Sequence, residues 1–347
     1  MDVASLPFEM KQVQLGNHAF EGQNNCYVLG TEPGGTLTLV DTGIAAPDTR
    51  DQLESGLASH GLAFEDVERI LLTHWHQDHT GLAGEIQAIS GCSVHAHPAD
   101  APLIEQRAEP REAMDDRLRR LVAEWGMPPA KQEELLAFLQ SDDGEGQPPE
   151  VTTFEDGATF AFGPGELTAV HLPGHTAGLT GFAFEGRDGE ELFSTDALLP
   201  YYTPNVGGAD TRVDRALGKY LDTLAGIVER GYARAWPGHR GAIVDPPGRA
   251  ADIVDHHRER TERVVRVLEE RGAADPWTVS ADLFGELHAI HILHGPGEAY
   301  AHLDHLTEAG VVARSGNDYE LVDPEADRTA LFPDVSAHLR PGYLPVH

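Results

Sequence analysis

Three imidazoles and a carboxylate crowd into six consecutive positions, His74-Trp75-His76-Gln77-Asp78-His79, between Thr73 and the pair Thr80-Gly81. No other stretch restricts so tightly what the chain can fold into. It follows Ile70-Leu71-Leu72 directly, an apolar run that reads as a buried strand. In an extended segment side chains repeat with period two, so His74 and His76 point the same way and can reach one ion at the roughly 2.0–2.1 Å of a zinc–imidazole bond. Asp78 and His79 are adjacent, and one turn of backbone aims them at a different point, where a second ion can sit. A polar strand-to-helix loop that is merely rich in histidine is the plainer reading, and the density and spacing argue against it.

The remaining candidate ligands recur at the same kind of place. Residues 25–30 and 36–41 read as adjacent strands around the turn Glu32-Pro33-Gly34-Gly35, the second ending in Asp41-Thr42-Gly43. A helix over 48–60 leads to the strand at 69–73, and a helix over 82–89 leads to a strand over 94–97. Leu167 to Leu172 is a strand that delivers Pro173-Gly174-His175-Thr176-Ala177-Gly178. Strands over 180–184 and 191–195 follow, the latter ending in Thr195-Asp196. After a helix over 212–230, the strand 233–236 ends in Pro237-Gly238-His239. Each His or Asp stands at the carboxyl end of a strand, so a shared sheet rim brings them together. His74, His76 and His175 then complete one ion's shell and Asp78, His79 and His239 the other's, with Asp196 bridging both as a bidentate carboxylate. Two zinc ions of this kind share a bridging hydroxide, formed because the metal lowers the pKa of its water towards about 7.

Composition bounds the rest. The 347 residues are 40% hydrophobic, and 25 basic against 57 acidic side chains give a formal charge of −32. Such a surface repels nucleic acid and anionic membrane, and with lysine only at 11, 131 and 219 it suggests a salt-loving source. Cys26 and Cys92 are too few for a disulfide framework. With no signal-like N-terminus and no long apolar run, the expectation is a soluble cytoplasmic protein.

The motifs Thr73-His74-x-His76-x-Asp78-His79, Pro173-Gly174-His175-Thr176-x-Gly178, Thr195-Asp196-Ala197 and Pro237-Gly238-His239 together resemble the metallo-β-lactamase superfamily, over residues from about 25 to 242. The resemblance implies an α/β fold, a four-layer αββα sandwich with its metal site where the two sheets meet, and a role for Asp41 in orienting that site. It implies a hydrolase in which Asp78 and Asp41 serve catalysis. Asp196 stands where β-lactam-hydrolysing members with a zinc-ligating cysteine need that cysteine, and His76 stands where flavodiiron members carry Glu, which favours zinc. Persulfide dioxygenases bind one iron with fewer ligands, and the inserted domain of nucleic-acid-processing members is missing. What remains is similar to the glyoxalase II-like hydrolases, acting on an ester or thioester, and to the β-lactamase-like protein 2 group, implicated in single-stranded RNA cleavage. A nucleic-acid-binding regulator is the third reading.

The expected domains are a catalytic unit over 1–245 with a helical insert at about 98–140, a winged-helix-like unit over 250–325, and a tail over 326–347. Pro246-Pro247-Gly248-Arg249 reads as the linker, and the acidic stretch 141–150 as a surface loop. The third C-terminal helix carries Glu298, Asp304 and Glu308, and the hairpin over 311–322 supplies only Arg314, so that unit reads as a lid or homodimer element rather than a phosphate reader. His288, His291 and His294 read as exposed or half-buried helix histidines, and Tyr201, Tyr202, Pro204 and Asn205 as candidate pocket residues. No arginine cluster resembles a clamp for glutathione carboxylates.

Overall fold

Short runs rich in Val, Leu, Ile and Phe form two mixed sheets in the computed structural model, which describes residues 6, 8–16, 22–139 and 144–339. The first half of the chain supplies β1 (Lys11–Leu15), β2 (Asn24–Leu29), β3 (Thr38–Val40), helix α1 (Pro47–Ala58), β4 (Arg69–Leu71), α2 (Gln77–Thr80), α3 (Ala83–Ser90) and β5 (Ser93–Ala96). The helical insert, α4 (Ala101–Ile104), α5 (Ala108–Glu124) and α6 (Pro129–Leu139), then leads to β6 (Val151–Thr153). These six strands lie in chain order across one sheet. The pairs β1/β2 and β2/β3 are antiparallel, and β3 to β6 are parallel, so each of the later connections crosses over through helix.

The second sheet contains β7 (Thr159–Ala161), β8 (Glu166–His171), β9 (Thr180–Glu185), β10 (Glu190–Thr195) and, after α7 (Ala216–Arg230), β11 (Arg234–Pro237), with the order β11-β10-β9-β8-β7. Tyr27, Leu29 and Val40 of the first sheet pack against Phe182, Phe184, Phe193 and Trp236 of the second. Tyr27 and Phe193 meet at 4.8 Å between ring centroids. Phe193 is 1% exposed, and its truncation to Ala would cost about 3–5 kcal/mol through lost burial and the cavity left behind. Leu53, Leu57 and Ile86 cover the outer face of one sheet, and Leu217, Leu221 and Leu224 that of the other. The result is the expected αββα sandwich.

The chain continues through α8 (Pro246–Arg271), β12 (Ala273–Ala274), α9 (Pro276–Phe284), α10 (His291–Glu308), β13 (Val312–Ser315) and β14 (Asp318–Leu321). The linker reading of Pro246-Pro247-Gly248-Arg249 does not hold: these residues are the first turn of α8. Asp245 caps it by accepting from Gly248 N at 3.0 Å, and proline at the first helical positions forfeits no hydrogen bond. Ala250, Ile253 and Val254 pack into the layer behind the second sheet, whereas Val264, Val265 and Leu268 pack with Val279, Leu303, Leu306 and Tyr319. One helix thus serves two cores. The hairpin β13/β14 pairs Ser315 with Asp318 across Gly316-Asn317, as its turn sequence predicts.

The insert does not stand free. Leu118, Val122 and Trp125 of α5 pack on Ile292 and Leu293 of α10. Of the expected surface loop, 141–143 lie outside the described residues, and Gly146 O accepts from Gln106 Nε2 at 2.8 Å. Of the expected tail, residues up to 339 are described, and Phe332 and Val335 are buried against the layer of α7 and α8. Among the described residues, no helix is long and apolar enough to cross a membrane.

Candidate metal centre

The sheets are joined at one rim by backbone bonds on either side of the candidate ligands, Asn25 N donating to Gly238 O at 2.8 Å and Thr180 N to Thr73 O at 2.9 Å. Asp41 follows β3, His74 and His76 follow β4, His175 follows β8, Asp196 follows β10, and His239 follows β11. The rim expected from the strand ends is therefore present, and α2 turns Asp78 and His79 into it. Asp41 and Thr195 hold left-handed backbone, with φ of 58° and 45°, which costs a non-glycine residue roughly 1–3 kcal/mol and persists where surroundings enforce it. The enforcing bonds run through Thr73, whose hydroxyl donates to Asp41 Oδ2 at 2.8 Å and accepts from Thr195 Oγ1 at 2.9 Å.

The seven predicted ligands fall into two groups around a single atom. His76 Nδ1 lies 3.0 Å from His74 Nε2 and 3.2 Å from His175 Nε2. His239 Nε2 and His79 Nε2 lie 3.5 and 3.7 Å from Asp78 Oδ2. One oxygen, Asp196 Oδ2, faces both sets: it is 4.0 Å from His74 Nε2, 3.8 Å from His175 Nε2, and 3.4 Å from both His79 Nε2 and His239 Nε2. Two donors bound to one ion at about 2.0–2.1 Å and at angles of 90–120° stand about 2.9–3.6 Å apart. The observed separations fall in or just above that range. Asp196 therefore offers both groups the same oxygen, where the sequence reading gives it one oxygen for each.

Four of the five outer nitrogens are held as metal-ligating imidazoles require, and His239 Nδ1 is buried without a partner. Thr73 Oγ1 meets His74 Nδ1 at 3.1 Å, Ala209 O meets His76 Nε2 at 3.2 Å, and Asn205 O meets His175 Nδ1 at 2.9 Å. Asp41 Oδ2 meets His79 Nδ1 at 2.8 Å, and its Oδ1 accepts from Thr73 N at 2.9 Å. Both carboxylate oxygens of Asp41 are thus spent on orientation. Asn24 Nδ2 donates to Asp78 Oδ2 at 3.1 Å.

Six of the seven side chains are buried and His76 is half-buried, and the inner atoms include His79 Nε2 and His239 Nε2, which have no hydrogen-bond partner. Burial, then the neighbouring His79 and His76, hold the His74 pKa far below the imidazole range. Burial also opposes charge on His79, but Asp196, Asp78 and Asp41 outweigh it and raise its pKa. For Asp196 burial disfavours ionisation, and His239 and His79 reverse that and keep it ionised. A pocket that stabilises carboxylates and asks for positive charge between unpartnered nitrogens suits a divalent cation, and deprotonated donors are the form that binds one.

Sequence reading missed the support under these loops. Arg212 Nη2 donates to Asp100 Oδ1 at 2.7 Å and to Asp210 Oδ2 at 2.6 Å. Asp100 accepts in turn from Thr176 Oγ1 at 2.9 Å, Gly178 N at 3.0 Å and Trp75 N at 3.3 Å, and Asp210 from Ala177 N at 3.0 Å. One guanidinium therefore ties together the loops that carry His74, His76 and His175. Trp75, between two ligands, puts its ring 5.8 Å from that guanidinium. Of the residues read as pocket-lining, Asn205 lies beside the site, and its Nδ2 also donates to His294 O at 3.2 Å. Tyr201 is 61% exposed. His294 is half-buried, within the expected range, and burial, then His291, His175 and His76, push its pKa down to about 3. For the Arg212 network, the Asp210-Thr211-Arg212 run was the local signal available in the sequence.

Residues 19–239 match the family model of the metallo-beta-lactamase superfamily. The chain is 28% identical to a beta-lactamase-like protein 2 homolog of Caenorhabditis elegans over 76% of this chain and 71% of that one. It is 25% identical to an atrochrysone carboxyl ACP thioesterase of Emericella nidulans over 74% of this chain and 63% of that one. It spans less than two thirds of other lactamase-like fungal relatives. The solved structure of a metallo-beta-lactamase family protein from Thermus thermophilus superposes with a TM-score of 0.75 at 29% identity, covering 90% of this chain and 98% of that one.

Proposed function

Because the chain belongs to the metallo-β-lactamase superfamily, we propose that it is a hydrolase holding two zinc ions and cleaving an ester or thioester, in the manner of the glyoxalase II-like members. The observation that carries this reading is the position of Asp196 Oδ2 within 4.0 Å of four ligand nitrogens drawn from both groups. His74, His76 and His175 would hold one ion, Asp78, His79 and His239 the other, and Asp196 both. An all-nitrogen-and-oxygen donor set without cysteine suits zinc. Bound there, the ions would act as Lewis acids and bring the pKa of water towards about 7.

The chain's own residues supply the rest. Asp41 fixes the His79 ring, so that Nε2 faces inward. Asn24 holds Asp78 in one orientation. The Arg212 network keeps the Trp75 and Thr176 loops in register. A thioester is favoured because a relative named as a thioesterase aligns over 74% of this chain.

RNA cleavage, the second reading, draws on the similarity to a beta-lactamase-like protein 2 homolog, and binding of nucleic acid as a regulator is the third. The C-terminal surface speaks against both. Several of its arginines are already paired, Arg314 with Glu124, Arg260 with Glu298 and Arg328 with Glu262, in a chain of charge −32. Two buried free cysteines accord with a reducing cytoplasm.

The test is a panel of thioesters, esters, lactones, phosphodiesters and single-stranded RNA offered to the zinc-loaded protein in low and molar salt. Thioester or ester hydrolysis that disappears with chelation and in Asp196→Ala is the expected result. Full activity in Asp196→Ala, or cleavage of RNA alone, would overturn the proposal.

A further inference from the structure

A second cluster of ligating side chains lies away from the rim, where α8 crosses α10. His257 comes from α8, and Glu298 and His302, one helical turn apart, from α10. One donor atom from each lies within 4.8 Å of the others. We propose that these three residues form a separate site for one divalent transition ion of the zinc class, which staples α8 to α10.

His257 Nδ1 stands 3.4 Å from His302 Nε2. That is long for a hydrogen bond and close to the roughly 3.3 Å between two nitrogens on one tetrahedral ion. Both residues are 1% exposed. His302 Nδ1 meets Thr261 Oγ1 at 2.7 Å, the outer contact that fixes a ligating imidazole and leaves its other nitrogen's lone pair facing inward. His257 Nε2 is buried with no hydrogen-bond partner, so no protein group holds this ring in the tautomer that would block Nδ1, the nitrogen that faces His302. Glu298 gives one oxygen to Arg260, which leaves the second available. Arg260 acts against a nearby cation, so binding here is weaker than at the rim. Two imidazoles and a carboxylate are a donor set that zinc and cobalt accept.

The site's location gives the ion a structural task. The His257 ring lies 5.7 Å from the ring of Tyr220 on α7. Tyr220 Oη donates to Ala197 O at 2.9 Å, next to Asp196. A Cβ on Gly174, next to His175, would fall 2.5 Å from Tyr220 Cβ. An ion between α8 and α10 therefore braces the tyrosine on which both ligand loops rest.

The experiment removes the rim first. In a His74→Ala/His76→Ala/Asp78→Ala/Asp196→Ala/His239→Ala chain, which disables both ligand groups of the rim and is checked for native circular dichroism, cobalt(II) is titrated while visible absorption and retained metal after gel filtration are read. One retained equivalent is expected. Adding Glu298→Gln, which preserves shape, should weaken cobalt binding at least about 10-fold, and adding His257→Gln/His302→Gln should abolish it. A folded rim-disabled chain that retains no cobalt, or cobalt retention unchanged by Glu298→Gln and by His257→Gln/His302→Gln, would overturn the proposal and leave a buried histidine pair with a purely packing role. None of these readouts depends on hydrolase activity.

Discussion

Replacing Arg212 by Met should damage one half of the rim and spare the other. The change leaves Asp100, 0% exposed, and Asp210, 1% exposed, as two buried carboxylates without their shared cation. Removing one partner of a buried ion pair costs about 3–5 kcal/mol, because the remaining charge is neither paired nor hydrated. At about 2–4 °C per kcal/mol for a domain of this size class, the midpoint of thermal unfolding should fall by about 6–20 °C. The functional effect is separable from the thermal one. Asp100 and Asp210 accept from Trp75, Thr176, Ala177 and Gly178, all of which belong to the loops of His74, His76 and His175. Zinc binding by that group should weaken about 10- to 100-fold, the usual effect of disturbing groups that orient ligands. Binding by Asp78, His79 and His239 should change little, since Asp41 and Asn24 hold that group. Two-step calorimetric titration of the chelated variant, below its unfolding midpoint, reads both. Arg212→Lys keeps the charge without the two-pronged geometry and should fall between. An Arg212→Met chain that melts within about 2 °C of the parent, or that loses both zinc steps equally, would refute this reasoning.

Gly238→Ala places a Cβ 2.3 Å from Asp196 Oδ1 and 2.7 Å from His79 Cε1; zinc binding should fall at least about 10-fold while the chelated protein keeps its fold by circular dichroism, and unchanged binding would show that Asp196 is not held at that point of the rim. The chelated protein should also lose stability in acid through His257 and His302. Burial, then His302 for the first and Arg260 for the second, together with His256 and His305, hold both pKa values well below the ordinary 6.5, and Glu298 is the acidic group that faces them. The native state then binds fewer protons than the unfolded chain below about pH 6.5, so stability is full above that pH and falls as pH drops, by up to about 1.4 kcal/mol per pH unit for each histidine. Thermal melts from pH 7 to 5 should show a shallower slope in His302→Gln than in the parent, and equal slopes would contradict the assignment.

Much of this architecture is legible in the sequence because it depends on local pattern. The His-x-His-x-Asp-His run, the strands ending in Asp41, His175, Asp196 and His239, and the Ser-Gly-Asn-Asp hairpin each follow from period and turn chemistry. Strands β1, β6 and β7 are invisible for the same reason. β6 and β7 have three residues each, and Lys11-Gln12-Val13-Gln14-Leu15 carries only two apolar positions. Pro246-Pro247-Gly248 looks like a linker because a composition reading weighs proline as a breaker, whereas position in the first turn makes it a starter. Arg212 escapes notice because, although Asp210 stands two residues before it, Asp100 is joined to it only by tertiary contact. The same holds for the sharing of one Asp196 oxygen, which depends on how β10 meets the rim.

The most direct test of the two-group centre is a zinc-edge anomalous diffraction map of the zinc-loaded crystal. Two peaks are expected at the rim about 3.5–4 Å apart, both beside Asp196 Oδ2, one among His74, His76 and His175 and the other among Asp78, His79 and His239. A single rim peak, or two peaks of which one leaves Asp196 out, would contradict a centre shared through that oxygen.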